Sequence, residues 1–317
     1  MKALLLFALL AALLAGWLWL RAGRNEARAE AAFPPQGRFV EIDGRRLHLR
    51  ISGRGPPVVL IHGASGNLRD MSFRLAPMLE RRFTVIAPDR PGLGHSPAFA
   101  PGGESLREQV ALMAAALERL GHARAYLLGQ SYGGAVALQW ALQRPEQVAG
   151  LVLVAAPSNP WEGGLAPLYR LNANPLLGPP LRLLIAAAAP RAVVMDSLAG
   201  IFAPQPVSPG YAEHVGLPLS LRRAQQKANA LQVAGLKPQI AAMVPRYGGI
   251  PVPVVAIHGT ADRVVQHDIH SRRLAGQIAD LELIELEGEG HMPHQTRTEV
   301  VVAALERLHQ KVESTHG

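Results

Sequence analysis

Ala125-Tyr126-Leu127-Leu128-Gly129-Gln130-Ser131-Tyr132-Gly133-Gly134 is the stretch on which the reading of this chain turns. Its first four residues form a short apolar run suited to a buried strand, and Gly129 to Gly133 is a Gly-x-Ser-x-Gly turn. From Gly134 to Gln143 the spacing is helical, with Val136 four residues before Trp140 and Leu138 four before Leu142, and Pro145 lies just beyond. Strand, turn and helix together make a nucleophile elbow. So tight a turn needs small residues around the serine and forces the serine itself into a strained conformation. The hydroxyl is thereby lifted clear of the sheet, and the helix N-terminus points at any oxyanion that develops there. The pentapeptide alone is a weak signal; its strand-before, helix-after setting gives it weight.

Working outward, Phe39–Ile42 and Arg46–Ile51 flank the Asp43-Gly44 turn and predict an antiparallel hairpin. Pro57–Ile61, Phe83–Ala87, Ala125–Leu128, Leu151–Val154, Val252–Ile257 and Leu281–Leu286 read as strands buried on both faces. Helical stretches alternate with them at Arg69–Glu80, Leu106–Leu120, Gly134–Gln143, Ser271–Ile278 and Glu299–Gln310. The pattern predicts an α/β fold with a mostly parallel sheet covered on both sides. Between Pro157 and Gly249 the alternation stops. That segment is rich in proline, has no clear strand and carries apolar helical pieces such as Leu181–Ala189 and Leu219–Ala234. It leaves from a strand end, where open parallel sheets bind ligands, so a helical cap is expected. The expected division is 1–25 as an N-terminal anchor, 26–37 as a linker, 38–156 and 250–312 as the two parts of the core, and 157–249 as the cap.

A serine hydroxyl needs a base, and the base needs a partner that holds its tautomer. In an elbow architecture these follow the serine in the order acid, then histidine. Asp262 stands just past the strand Val252–Ile257, and His291 just past Leu281–Leu286. Ser131, Asp262 and His291 therefore share one edge of the sheet. Asp268 and His294 are the competing acid and base; Asp268 is expected to open the next helix. A surface role is expected for His267 and His270, packing at a strand end for His258, and for Asp89 a role in fixing its own loop. Two backbone N–H groups are expected to form the oxyanion hole: that of Tyr132, next after the serine, and that of Ala64 in His62-Gly63-Ala64-Ser65-Gly66. No histidine–carboxylate spacing suits a metal.

Composition narrows the function classes. With 49% hydrophobic and 18% charged residues the 317-residue chain is not a disordered protein. The net charge of +8 comes from scattered rather than clustered arginines, and aromatics are only 5%, which argues against nucleic acid as a partner. There is no cysteine, so disulfides, thiol catalysis and thiolate metal sites are excluded. No feature calls for an obligate protein partner. At the N-terminus Ala3–Leu20 is uncharged and apolar, with Trp17 and Trp19 near its end and Arg21 and Arg24 after it. This predicts a single membrane-anchoring helix, side of the membrane open. A signal peptide cleaved at Ala27-Arg28-Ala29 is the alternative.

His62-Gly63, Asp89-Arg90-Pro91-Gly92-Leu93-Gly94-His95-Ser96, the Ser131 elbow, Asp262 and Gly290-His291, in this order and spacing, resemble the α/β-hydrolase family. The resemblance runs from Phe39 to Gln310 and is nearest the capped serine hydrolases: esterases, carbon–carbon bond hydrolases and cofactor-free haloperoxidases. It implies a Ser131–Asp262–His291 triad, no cofactor and a helical cap. Serine at the elbow departs from the aspartate of epoxide hydrolases and haloalkane dehalogenases. Gly63-Ala64-Ser65-Gly66, with few acidic cap residues (Glu162, Asp196 and Glu213), departs from proline iminopeptidases. The expected activity is hydrolysis of carboxylic esters of apolar acyl groups through an acyl-enzyme. The alternatives are a carbon–carbon bond or thioester hydrolase, or a perhydrolase or haloperoxidase-like side activity, with the same triad, or an idle binding module. An arginine-biased cap (Arg170, Arg182, Arg191, Arg222 and Arg223, with Lys227) suggests an apolar acyl group beside an anionic one.

Overall fold

A computed structural model describes residues 1–99 and 105–316. Its strands are β1 (Arg38–Ile42), β2 (Arg45–Gly53), β3 (Pro57–Ile61), β4 (Thr84–Pro88), β5 (Ala125–Gln130), β6 (Val148–Val154), β7 (Val254–Gly259) and β8 (Leu281–Leu286). They form one sheet in the order β1-β2-β4-β3-β5-β6-β7-β8. The first two pairings of that order, β1 with β2 and β2 with β4, are antiparallel and all later ones are parallel. The helices of the first half are α1 (Lys2–Ala32), α2 (Leu68–Phe73), α3 (Leu75–Leu79), α4 (Leu106–Arg119) and α5 (Tyr132–Gln143). The cap contributes α6 (Pro167–Ala173), α7 (Gly178–Ala188), α8 (Arg191–Phe202), α9 (Tyr211–Val215), α10 (Leu217–Ser220) and α11 (Arg223–Met243). After it come α12 (Ser271–Ala275), α13 (Pro293–Thr296) and α14 (Thr298–His316).

Period-two alternation explains the two layers. Val59 and Ile61 of β3, Leu127 of β5 and Leu151 and Leu153 of β6 face one core, with Leu106, Val110 and Leu117 of α4 and Val136 and Trp140 of α5. Val58, Leu60, Tyr126, Leu128, Val152 and Val154 face the other, with Leu68 and Met71 of α2, Leu75 and Leu79 of α3, and Val301, Leu305 and Leu308 of α14. The expected helix over Arg69–Glu80 is broken at Arg74 into α2 and α3. Several cap prolines start helices rather than break them: Pro167, Pro179 and Pro218 stand in first turns, where the missing N–H has no partner to lose. Pro238 alone lies inside α11.

The N-terminal segment requires a correction. By length and composition it passes the test for a membrane span, and its apolar window is uncovered. The helix does not stop there, however. Ala27-Arg28-Ala29-Glu30-Ala31-Ala32 holds strong helix formers and no breaker, so α1 continues to Ala32 where a linker from residue 26 was expected. Its second half is fastened to the cap. Ala22 of α1 packs on Ala186 and Ala187 of α7, the small side chains allowing close approach. The Arg21 Nε–H and an Asn25 Nδ2–H donate to Ala187 O (2.8 Å) and Ala186 O (2.9 Å), satisfying carbonyls at the end of α7. Glu26 receives both Nε–H and Nη2–H of Arg223 at 2.8 Å, and Glu30 pairs with Arg222 at 2.8 Å. The segment is thus a docked outer element of the cap, and the membrane-anchored localisation read from its composition is withdrawn.

Candidate active site

Parallel strands place their C-terminal ends on one edge, and the register sets those ends nearly level: Ile61 pairs with Gly129, Gln130 with Val154, Val154 with Ile257 and Gly259 with Leu286. Loops carrying His62–Gly66, Ser131, Asp262 and His291 leave from that edge, and the cap leaves β6 there too.

Ser131 adopts φ 50° and ψ −124°, the strained conformation expected of an elbow. Its N–H donates to Val154 O at 2.8 Å and its carbonyl accepts from Gly134 N–H at 2.8 Å, so the turn is fixed on both sides. Glycine is required by contact. A Cβ on Gly129 would overlap Gly133 O, one on Gly133 would overlap Ile61 O, and one on Gly134 would overlap the Ala156 methyl. The backbone of α5 can therefore come directly under the β3 loop. At Gly63 a Cβ would stand 3.2 Å from Ser131 Cβ and collide with Gln130 Oε1, so glycine there lets the expected oxyanion loop close on the serine.

Asp262 and His291 are brought together: the His291 Nδ1–H donates to Asp262 Oδ2 at 2.7 Å, leaving Nε2 as the ring's acceptor. The other oxygen, Oδ1, accepts from Val264 N–H (2.8 Å) and Val265 N–H (2.9 Å). A second imidazole, that of His258, reaches Oδ2 at 3.1 Å. Its Nε2–H also donates to Val265 O at 2.8 Å, and its Nδ1 accepts from the Ser271 hydroxyl, so its tautomer is set. Burial raises the Asp262 carboxyl, but hydrogen bonds from His258 and His291 outweigh it and hold the group well below the ordinary carboxylate range. Gly259 lies so close to Glu289 O that no side chain would fit, which draws the acid and histidine loops together. Gln130, the residue before Ser131, donates to His291 O at 3.3 Å and ties the elbow to the histidine loop.

The competing residues are placed elsewhere. His294 is fully buried and bonded to Asp70 at 3.0 Å, and Asp70 also accepts from the Tyr211 hydroxyl of the cap at 2.8 Å. Asp268 is exposed and pairs with Arg272 at 2.8 Å, three residues ahead of α12. The surface role expected for His267 and His270 is wrong. Both are buried: His267 lies between His258 and Glu285 of β8, and His270 meets the start of the cap. His270 Nδ1 accepts from Ser158 N–H (3.1 Å) and Asn159 N–H (3.2 Å), and burial pushes its pKa down to about 4. Asp89 fixes its loop as expected, through His95 N–H (2.8 Å), but it also takes Leu68 N–H and His48.

Sequence reasoning missed Arg90. It is wholly buried, donates to His62 O (3.0 Å), Gly63 O (2.9 Å), Gln109 (3.0 Å) and Gln232 (2.6 Å), and lies 4.2 Å from the centre of the Tyr132 ring. One guanidinium thus joins the loops of both expected oxyanion donors. Burial lowers its pKa to about 10, so it is a cation at neutral pH. His62 is kept neutral: burial, then the Arg90 charge, push it down to about 4. Its Nδ1–H donates to Gly63 O and its Nε2 accepts from Arg90 N–H. The legible signal was arginine in Asp89-Arg90-Pro91-Gly92. The arginine bias of the cap has a structural use, since Arg222 and Arg223 serve α1 and Arg182 bonds Asn172 O. Among the described residues no group of three or more His, Cys, Asp or Glu could hold a metal ion.

Comparisons with known proteins agree with this architecture. The α/β-hydrolase-fold family model matches residues 56–298. An uncharacterized protein of Mycobacterium tuberculosis is 30% identical over 299 residues, covering 90% of this chain and 84% of that protein. The 2-hydroxymuconate semialdehyde hydrolase of Pseudomonas sp. CF600 is 32% identical over 236 residues, 73% of this chain and 79% of the enzyme. Among solved structures, an α/β-hydrolase-fold protein from Burkholderia ambifaria superposes with a TM-score of 0.70 at 27% identity, covering 85% of this chain and 96% of that one. These likenesses are to hydrolase folds, and they lend the N-terminal helix no support as an anchor. A serine elbow, a paired acid and histidine on one sheet edge, a helical insertion above them and a family match spanning most of the chain lead to one conclusion: this protein is a member of the α/β-hydrolase fold family, related to carbon–carbon bond hydrolases and esterases.

Proposed function

We propose that the protein is a serine hydrolase of a carbon–carbon bond, acting on conjugated 2-hydroxy-6-oxo-dienoates of the kind named for its relatives. Ser131 is the nucleophile, His291 the base and Asp262 the residue that orients it; Tyr132 and Ala64 N–H groups receive the oxyanion. The observation that carries the substrate class is 32% identity, over 73% of the chain, to an enzyme named as a 2-hydroxymuconate semialdehyde hydrolase. The His291–Asp262 bond at 2.7 Å supports the mechanism, because it leaves Nε2 able to take a proton.

In the first step Ser131 Oγ bonds to the substrate's carbonyl carbon while His291 takes the hydroxyl proton, and negative charge passes to the carbonyl oxygen. Collapse breaks the adjacent carbon–carbon bond. That electron pair needs an acceptor, so the bound dienoate first passes its 2-hydroxyl proton to the carbon beside the reacting carbonyl. The pair then runs through the resulting 2-oxo-enone to its oxygen, which His291 protonates to give the shortened 2-hydroxydienoate. Water, activated by the same histidine, then releases the acyl group from Ser131 as a carboxylic acid. Ester cleavage would use the same steps with an alcohol leaving.

The test is turnover of 2-hydroxymuconate semialdehyde, followed by loss of its dienolate absorbance, beside a p-nitrophenyl ester panel graded by chain length. The expected outcome is kcat/KM higher for the dienoate than for any ester, with fluorophosphonate labelling at Ser131. Efficient ester turnover with no dienoate cleavage would return the protein to the esterases.

A further inference from the structure

We infer that Asn229 of the cap is a positioning residue for the oxyanion hole, holding the loop that carries Ala64 in its working conformation. The inference rests on the proposed roles of Ser131 and Ala64.

Ser65, next to Ala64, has φ 57°, in the left-handed region that disfavours a residue with a side chain. Something must hold it there, and every polar group of Ser65 is held by the cap. Its N–H donates to Asn229 Oδ1 at 2.6 Å, and its hydroxyl oxygen accepts from Asn229 Nδ2–H at 2.9 Å. Its carbonyl accepts from the Ser220 hydroxyl at 2.6 Å. Asn229 is buried and Ser65 half-buried, so these bonds are partly shielded from water and leaving them unmade would be costly.

The grip belongs to one face of α11. Gln225, Asn229 and Gln232 follow at i, i+4 and i+7, all buried, and all three reach the sheet edge. Gln225 Oε1 accepts from Gly94 N–H at 3.0 Å. Gln232 accepts from Arg90 at 2.6 Å and donates to Pro91 O at 2.7 Å, and Arg90 in turn binds Gly63 O at 2.9 Å. The loop is therefore bonded from the cap at Ser65 and, through Arg90, at Gly63, with Ala64 between. Apolar residues would serve if this helix only covered the site. Three amides aimed at two neighbouring loops, Asn229 at Ser65 and Gln225 and Gln232 at residues 90–94, set backbone geometry, and an oxyanion donor displaced by about 1 Å loses on the order of 10²-fold in rate.

The experiment compares Asn229→Ala, Asn229→Asp, Ser65→Gly with and without Asn229→Ala, and Gln226→Ala, all in the full chain. Gln226 lies on α11 but bonds within the cap, to Leu221 O at 2.6 Å, and serves as control. Asn229→Ala should lower kcat about 10²-fold with KM changed less than about threefold. Asp should keep most of the rate, since it accepts the Ser65 N–H. Ser65→Gly should restore most of the rate to Asn229→Ala, because glycine takes φ 57° without strain. Hydrogen–deuterium exchange, which needs no activity, should quicken at residues 62–66 in Asn229→Ala and not in Gln226→Ala. Unchanged exchange at that loop, no rescue by Ser65→Gly in a folded protein, or an equal loss from Gln226→Ala would each overturn the inference. Loop exchange that responds as stated in a wild-type protein that fluorophosphonate does not label at Ser131 would instead refute the serine-hydrolase reading and leave the clamp standing.

Discussion

The sheet edge and the cap above it both place polar groups in a dry interior, but by different means. On the sheet edge the work is done by backbone. Ser131 is fixed by Val154 O and Gly134 N–H, Asp262 by two consecutive amides, and the close approaches are set by glycines that admit no Cβ. In the cap the work is done by long side chains: Asn229 and Gln232 reach down from α11, and Arg222 and Arg223 reach across to α1. Strand register leaves the edge little freedom, whereas each cap contact depends on one side chain in one rotamer. Losses at the edge should therefore abolish chemistry, and losses in the cap should tune it.

The comparison can be broken at its hardest point. Ser131→Ala should lower kcat by about 10⁴ to 10⁶ with the fold intact. His291→Ala should fall comparably and His294→Ala far less, since His294 is bonded to Asp70 rather than Asp262. Stopped assays with circular dichroism as a folding check decide it; a folded Ser131→Ala that keeps a tenth of the activity moves the nucleophile elsewhere.

Next in size, Asp262→Asn should cost on the order of 10⁴ in kcat by offering His291 the wrong tautomer. Asp268→Asn should be nearly silent, because that carboxylate is exposed and pairs with Arg272. Steady-state kinetics showing the reverse would relocate the acid along the same loop.

A third test sharpens the picture of the edge as a dry, fixed structure. His62 is held neutral, with its pKa down at about 4 against 6.5 in the unfolded chain. The stability this gives is complete above about pH 6.5 and is lost as pH falls toward 4, because only the unfolded chain takes up the proton. The loss should be about 3 kcal/mol. Urea midpoints at pH 7 and 4.5 measure the fall, to which His270, also pushed down to about 4, contributes as well, and His62→Gln should remove the His62 share of it, about 2 to 3 kcal/mol. An equal fall in both proteins would acquit His62.

The smallest effect belongs to the outermost contact. Glu30→Gln breaks a half-exposed pair with Arg222 and should cost no more than about 1 kcal/mol, leaving kcat unchanged. A clear fall in kcat would mean that α1 acts on the site through Arg222, which also bonds Gly94 O in the loop that carries Arg90. The cap would then be as stiff as the edge, and the contrast would fail.

That Ser131, Asp262 and His291 come to one sheet edge was legible because each comes just after an apolar run, and a parallel sheet gathers the loops at its strand ends onto one edge. The contacts of Arg90 and Asn229 were not, because a lone arginine or asparagine carries no periodic signal of what it meets. The buried amides of α11 look like a solvated helix face until the partner beneath them is known. His267 and His270 were misread for the same reason: nothing local says that their loop turns back against β8 and the start of the cap. The N-terminal helix misled through composition, which describes its first half well and says nothing of the surface its second half meets.

Taken alone, the sequence determined the alternation of strands and helices, the elbow and the order of its candidate partners. Those depend on short-range periodicity and on turn residues whose steric needs are local. Only the tertiary structure decided which imidazoles meet Asp262, that Arg90 joins the two expected oxyanion loops, that cap amides grip Ser65, and that α1 docks on α7. Such contacts join residues far apart in the chain. Whether they form depends on burial and on the pairing of hydrogen-bonding groups, which exist only once the sheet and cap have closed on each other.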